Sequence, residues 1–388
     1  MIKAVLLDLD NTLIRNPDRA FATGFLQHFE RHMQETIGIS RSGAIFRQAI
    51  QALSKQDRPG DTRNSDLITA MLATASDGRI DQVQAQQALT TFYSDVYPAL
   101  APCIAPIAGV ADLIRRLHDA GYAVVIATNP IYAHDAIKRR MQWGQLPLDE
   151  TLYALITSAD NMHFSKPDPA YYAEILGRVG IEPDEAIMVG DGTRNDIAPA
   201  RTIGLHTYAL DDDEKDIHDF AREFDLQRTA VDVHTYRPEM MIPQLRGNIG
   251  ALYGFLEQVQ PAFWTQRPDP QEWSILQILC HLLTAEAHNE RPRLQRILEE
   301  DNPFITAPPP PGPDIPTCDE DGFRIADQLK HARQQTIDLL AALQPEQWQR
   351  RARHSIFGLT TLLEMAYFTA QHDRLHLNQL CQTIGRCE

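Results

Sequence analysis

The sequence predicts an α/β fold, a doubly wound parallel sheet with an inserted helical cap, followed by an all-α bundle of four helices. Three observations carry that expectation. Short β-rich runs alternate with helical patterns in the first part of the chain, as in a parallel sheet covered by helices. An insert of roughly ninety residues, about 15–105, lies between the first run and the next, against the dozen or so of an ordinary βα crossover. β signals then cease near residue 210, and longer helical patterns take over.

The first strand is "AVLLDLD" from Ala4, an apolar run that ends in two aspartates, Asp8 and Asp10. The long connection contains "AFATGFLQHFERHMQETIG", "SGAIFRQAIQALSKQ", "SDLITAMLATA" and "DQVQAQQALTTFYSDVY", all with helical spacing, which gives a cap over about residues 15–105. It emerges beside Asp8 and Asp10, where Arg15, Arg19 and His28 are candidates for reading a substrate or are solvated helix residues. Further strands are expected at "AVVIATN" from Ala123, "LYALITS" from Leu152, "AIMVGD" from Ala186 and "LHTYAL" from Leu205, with Gly often at the exits of the intervening helices. The predicted domains are 1–229 and 230–388. The second should hold helices at about 238–260, 273–300, 321–343 and 357–384. Pro292 should kink or interrupt the second of these. The connection "NPFITAPPPPGPDIPTCDED" reads as an extended, exposed loop.

Composition narrows the function. With 52 acidic and 36 basic residues among 388, the net charge is -16, so there is no basic surface for a nucleic-acid backbone and small ligands are the expected partners. Five cysteines without a CxxC pair read as free thiols of a reducing compartment. No signal-peptide core and no bilayer-length apolar run is present, so a cytoplasmic protein without membrane contact is expected. Nothing in the sequence sets an oligomeric state.

Side chains two apart on a strand share a face, so Asp8 and Asp10 can enter one site if the extended geometry persists. In an open α/β sheet that site lies at the carboxyl ends of the strands. Three other strand ends bring Thr128 and Asn129, Lys166 in "SKPDP", and Asp191 and Asp196 in "GDGTRND". Asp8 and Asp191 are hard oxygen ligands suited to Mg²⁺, and Lys166 and Thr128 can hold phosphoryl oxygens. The ordered set "DLDNT", "ATN", "SKPDP" and "GDGTRND" resembles the four motifs of the haloacid dehalogenase superfamily, over about residues 1–220, which implies a Rossmann-like sheet. The resemblance implies Asp8 as nucleophile, Asp10 as general acid/base and a metal ligand through its backbone carbonyl, and Thr128, Asn129 and Lys166 at the phosphate. It further implies Asp191 on Mg²⁺ with Asp196 in support. Haloacid dehalogenases themselves lack an acid at the second position, so Asp10 favours phosphate chemistry on a small phosphorylated metabolite.

In the last helix, His372 and His376 are four apart and continue a stripe through Leu362, Met365, Ala366 and Thr369, which turns them inward. His281 lies among apolar neighbours in the second helix, with His288 as a rival on nearly the same face. Three inward imidazoles can form a facial metal site. Asp373 is expected at the surface; Glu286 and Gln379 are either hydrogen-bond partners of the ligands or solvent-exposed. Through "EWSILQILCHLLTAE" and "HDRLHLNQ", residues of about 238–388 resemble the DinB-like four-helix bundle, whose histidine triad maps onto His281, His372 and His376. The resemblance implies a divalent Zn, Ni, Mn or Fe ion. It leaves open a thiol S-transferase-like enzyme or a sensor and regulatory module.

Overall fold

The computed structural model describes residues 1–16, 20–211, 215–224 and 236–387. The chain forms two compact units, and the first gives way to the second within the undescribed stretch 225–235, where the expected boundary at 229/230 also lies. The short segments Pro59–Asp61 and Tyr172–Glu182 group with the second unit.

From the N-terminus the elements are β1 (Ala4–Leu7), β2 (Ile14–Arg15), α1 (Ala20–Ile37), α2 (Ser42–Leu53), α3 (Asn64–Thr74), α4 (Gln82–Thr91) and β3 (Ala105–Pro106). There follow α5 (Val110–Asp119), β4 (Ala123–Ile126), α6 (His134–Trp143), β5 (Leu155–Ile156), α7 (Pro169–Val179), β6 (Ala186–Gly190), α8 (Ala198–Thr202), β7 (His206–Ala209) and α9 (Ile217–Glu223). Among the described residues, five parallel strands stand in the order β5-β4-β1-β6-β7. β1 is central, and its four residues are fully buried, as an apolar run with a strand on each side and cover on both faces requires. Each expected strand of this sheet is present.

The insert leaves at β2 and returns at β3, which pair antiparallel with Ile14 opposite Pro106. Phe21, Phe25, Phe29 and Met33 recur every four residues on α1 and are all buried. Phe25 lies 5.5 Å from Phe29, 5.0 Å from Phe46 and 5.3 Å from Phe92 between ring centroids, and Tyr132 from outside the insert joins this aromatic cluster at 5.0 Å from Phe25.

In the second unit the helices are α10 (Met241–Leu256), α11 (Ile275–Ala285), α12 (Arg291–Glu299), α13 (Gly322–Ala341) and α14 (Leu362–Cys387). The second expected helix is divided: a π turn over Glu286–Glu290 separates α11 from α12, and Pro292 sits in the first turn of α12. Proline cannot donate to the carbonyl four residues back, and the wider turn accommodates its ring.

Two expectations for this unit are corrected. β structure does not cease: β8 (Phe304–Ile305), β9 (Arg351–His354) and β10 (Gly358–Thr361) form a small sheet, and β10 occupies the start of the expected last helix. The signal was a short alternation, because Ala352 and His354 are buried while Arg351 and Arg353 are exposed, followed by Gly358 at φ +75°. The cysteines are not all free thiols, since Cys280 and Cys318 form a disulfide, leaving Cys103, Cys381 and Cys387 free. The proline-rich connection, though largely exposed, is tied to the bundle close to this bond: Trp273 Nε1 donates to Gly312 O at 3.0 Å and Gln277 Nε2 to Ile315 O at 2.8 Å. These anchors bring together two cysteines 38 residues apart in sequence. A cross-link closing a loop of that length stabilises by about 4 kcal/mol through the unfolded chain. Cys318→Ala should therefore lower the denaturant midpoint of the second unit under non-reducing conditions, and identical midpoints would contradict the bond.

Candidate functional site

Parallel register decides where the first cluster forms. Leu7 pairs with Ile126 on one side and Val189 on the other, Ala127 N donates to Leu7 O at 2.7 Å, and Asp8 N donates to Val189 O at 3.0 Å. Asp8 therefore emerges between the chain ends that carry Thr128 and Asp191. Asp8, Asp191 and Asp196 each place a carboxylate oxygen within 4.8 Å of the others. Lys166, 2% exposed, donates from Nζ to Asp8 Oδ1 at 2.6 Å and also contacts Asp196 Oδ1.

Asp196 comes from the turn after β6 and is held by its own loop, with Gly192 N donating to Oδ2 at 2.9 Å. A Cβ at either Gly190 or Gly192 would lie 2.7 Å from that oxygen, so both glycines leave the room in which the carboxylate reaches Lys166. Burial, Asp196 and Asp191 push Asp8 up to about 7, while Lys166 pulls it down. A divalent cation among three carboxylates would offset that crowding and keep Asp8 ionised. An all-oxygen donor set fits Mg²⁺.

Regular strand ends at Leu7, and the chain then turns: Leu13 N and Ile14 N both donate to Leu9 O at 3.0 Å, and Asn11 adopts φ 57°. Asp10 thus lies in a turn, bridged to Ile14, and not on a continued strand. Its Oδ1 accepts from Asn16 Nδ2 at 2.9 Å and from the Arg140 guanidinium. Thr128 is buried, its carbonyl fixed by the hydroxyls of Thr157 at 2.9 Å and Tyr171 at 2.8 Å. Asn129 is half-buried beside it. Arg15 is exposed on β2 and His28 half-buried in α1, while Arg19 lies outside the described residues.

Sequence reasoning missed Arg140. It occupies the inward face of α6 with Ala136, Ile137 and Met141, and a cation on that face was the available signal.

In the second unit His281, His372 and His376 come together, their ring nitrogens within 4.8 Å of one another. His281 Nε2 and His372 Nε2 are 3.3 Å apart. Nitrogens held about 2.0–2.1 Å from a tetrahedral ion would be about 3.3 Å apart, so this spacing fits a shared metal. Gln379 Oε1 lies 2.9 Å from His376 Nδ1, which sets that nitrogen as donor and leaves Nε2 as the ligand atom. Trp273 stacks on His376, with 5.8 Å between centroids and 16° between planes. Burial, together with His376 and His372, pushes His281 down to about 4; burial likewise lowers His372 to about 4, and lowers His376. All three are then neutral near pH 7, the form that binds metal. His288 is exposed and is not part of the cluster.

Two further expectations are corrected. Asp373 and Glu286 are not at the surface: Asp373 is 5% exposed and Glu286 fully buried. One position along α14 from His372, the Asp373 side chain turns toward α13, where Arg333 Nη2 donates to Asp373 Oδ1 at 2.8 Å and lies 3.1 Å from Glu286 Oε2. A cavity of about 380 Å³ in this unit opens beside His372, with Arg293, Phe357 and Phe368 in its lining.

A model of haloacid dehalogenase-like hydrolases matches residues 2–204. The chain belongs to this family. A model of the DinB superfamily matches residues 244–380, so a hydrolase domain is followed by a DinB-like helical domain. The chain is 26% identical to pyrophosphatase PpaX of Halalkalibacterium halodurans over 58% of its own length and 90% of that protein. It is 26% identical to phosphoglycolate phosphatase 1 of Pseudomonas aeruginosa over 54% of its length and 69% of that protein. It is 24% identical to glyceraldehyde 3-phosphate phosphatase of Methanopyrus kandleri over 60% of its length and 97% of that protein. No helix among the described residues is long and apolar enough to cross a membrane.

Proposed function

We propose that the hydrolase domain is a Mg²⁺-dependent phosphatase of small phosphorylated metabolites that works through an aspartyl-phosphate on Asp8. The observation that carries this reading is Asp8 held by Lys166 within one cluster with Asp191 and Asp196, with Asp10 on the adjoining turn. Relatives named as phosphatases support it.

Lys166 engages Asp8 Oδ1, so the other oxygen of Asp8 is the one to attack phosphorus. The bond from phosphorus to the leaving oxygen breaks, and Asp10 gives that oxygen its proton. Water then attacks the phosphorus of the acyl phosphate while Asp10 takes a proton back; inorganic phosphate leaves and Asp8 is restored. Lys166, Thr128 and Asn129 surround the phosphoryl oxygens and stabilise charge as it moves. Asp8, Asp191 and the Asp10 carbonyl would hold Mg²⁺, with Asp196 in support. When bound, the ion supplies positive charge at the phosphoryl group.

For the DinB-like domain we propose a divalent transition-metal site made by His281, His372 and His376, with the adjoining cavity as the approach for a ligand. Release of phosphate from a panel of small phosphate monoesters, with Mg²⁺ and after chelation, tests the phosphatase reading. Turnover that stops on chelation and returns with Mg²⁺ is expected; release indifferent to the ion would contradict it.

A further inference from the structure

We infer that Arg140 forms a subsite for an anionic leaving group, so that the preferred substrates are phosphate monoesters whose alcohol carries a carboxylate or second phosphate. The inference rests on the phosphatase reading and deepens it.

Arg140 is 1% exposed, and a cation that deep is costly without partners. Its guanidinium lies 4.9 Å from the Phe21 ring centroid and 5.5 Å from that of Tyr132, an aromatic setting that fixes the plane of the group. One nitrogen, Nη2, contacts Asp10 Oδ1. Nε is buried with no hydrogen-bond partner among the described residues. A guanidinium offers five N–H donors in a fixed fork suited to carboxylate or phosphate, more than one oxygen of Asp10 can use. A guanidinium keeps its proton in proteins, so the group carries its charge at neutral pH.

Position supplies the rest. Asp10 is the group that meets the leaving oxygen, so a cation on Asp10 stands on the leaving-group side of phosphorus, whereas Lys166 stands with Asp8. Asn16 Nδ2 also donates to Asp10 Oδ1, at 2.9 Å, and keeps that carboxylate placed while a further donor of the fixed guanidinium meets the substrate. An anion two or three bonds from the leaving oxygen would meet the guanidinium. A neutral alcohol would offer the remaining donors no charged partner, which selects against such esters.

The test compares kcat/KM for phosphate release from 2-phosphoglycolate and from ethylene glycol monophosphate, esters of similar size with and without a carboxylate, at saturating Mg²⁺. The full-length protein is expected to favour the carboxylate ester by about 10- to 100-fold. Arg140→Met should bring the ratio close to one, and Arg140→Lys should keep part of it, since a point charge replaces the fork. Turnover of both esters by the unaltered protein with a ratio near one would overturn the inference while the phosphatase reading stands, even if neither variant folds. Equal loss on both esters in a folded Arg140→Met variant would make Arg140 merely structural and overturn it too. Release from no monoester at all would remove the phosphatase reading, and this inference with it.

Discussion

Asp8→Asn is expected to lower phosphate release by about four orders of magnitude or more while the protein stays folded. The amide has nearly the shape of the carboxylate but cannot attack phosphorus. Its effect on stability should be small or favourable, because Asp8 is crowded by burial, Asp196 and Asp191, and only Lys166 opposes that crowding among its main neighbours. Losing one charge there relieves repulsion, and Lys166 keeps its contact with Asp196. Phosphate release and the thermal midpoint should be measured on the same preparation. A folded variant with activity within tenfold of the parent would show that Asp8 is not the nucleophile.

Replacing His372 and His376 together by alanine should take the metal content from about one ion per chain to a small fraction of that. Three imidazoles at metal-like spacing would form the proposed site, and one remaining imidazole would not hold an ion through dialysis. The buried pairs of Arg333 with Asp373 and Glu286 are untouched by the change, so the bundle should still fold. Metal analysis of parent and variant after dialysis decides the matter: equal content in both would place any bound ion elsewhere.

Much of this was legible in the sequence because it depends on local pattern. The apolar runs at Ala4, Ala123 and Ala186 became parallel strands, and their register brought Asp8, Asp191 and Asp196 together, with Lys166 reaching them from the segment before α7. The four-residue spacing of His372 and His376 directed both toward His281. What sequence alone did not reveal depends on packing between distant segments. Arg140 lies 130 residues from Asp10, and nothing local marks their contact. Asp373 read as a surface acid, and Glu286 as exposed or as a partner of the histidines, until Arg333, on another helix, is placed between them. The Cys280–Cys318 bond likewise depends on how the proline-rich connection folds back onto α11. β9 and β10 are four residues each, too short to outweigh the long helical pattern that follows them.

The most direct measurement is the mass of the peptide containing Asp8 after rapid acid quench of a reaction with a hydrolysed phosphate ester and Mg²⁺. A fraction of that peptide is expected to be heavier by one phosphoryl group, labile to hydroxylamine and absent in Asp8→Asn. Phosphate release at full rate with this peptide unmodified at every quench time, or with the phosphoryl group on another residue, would contradict an aspartyl-phosphate on Asp8.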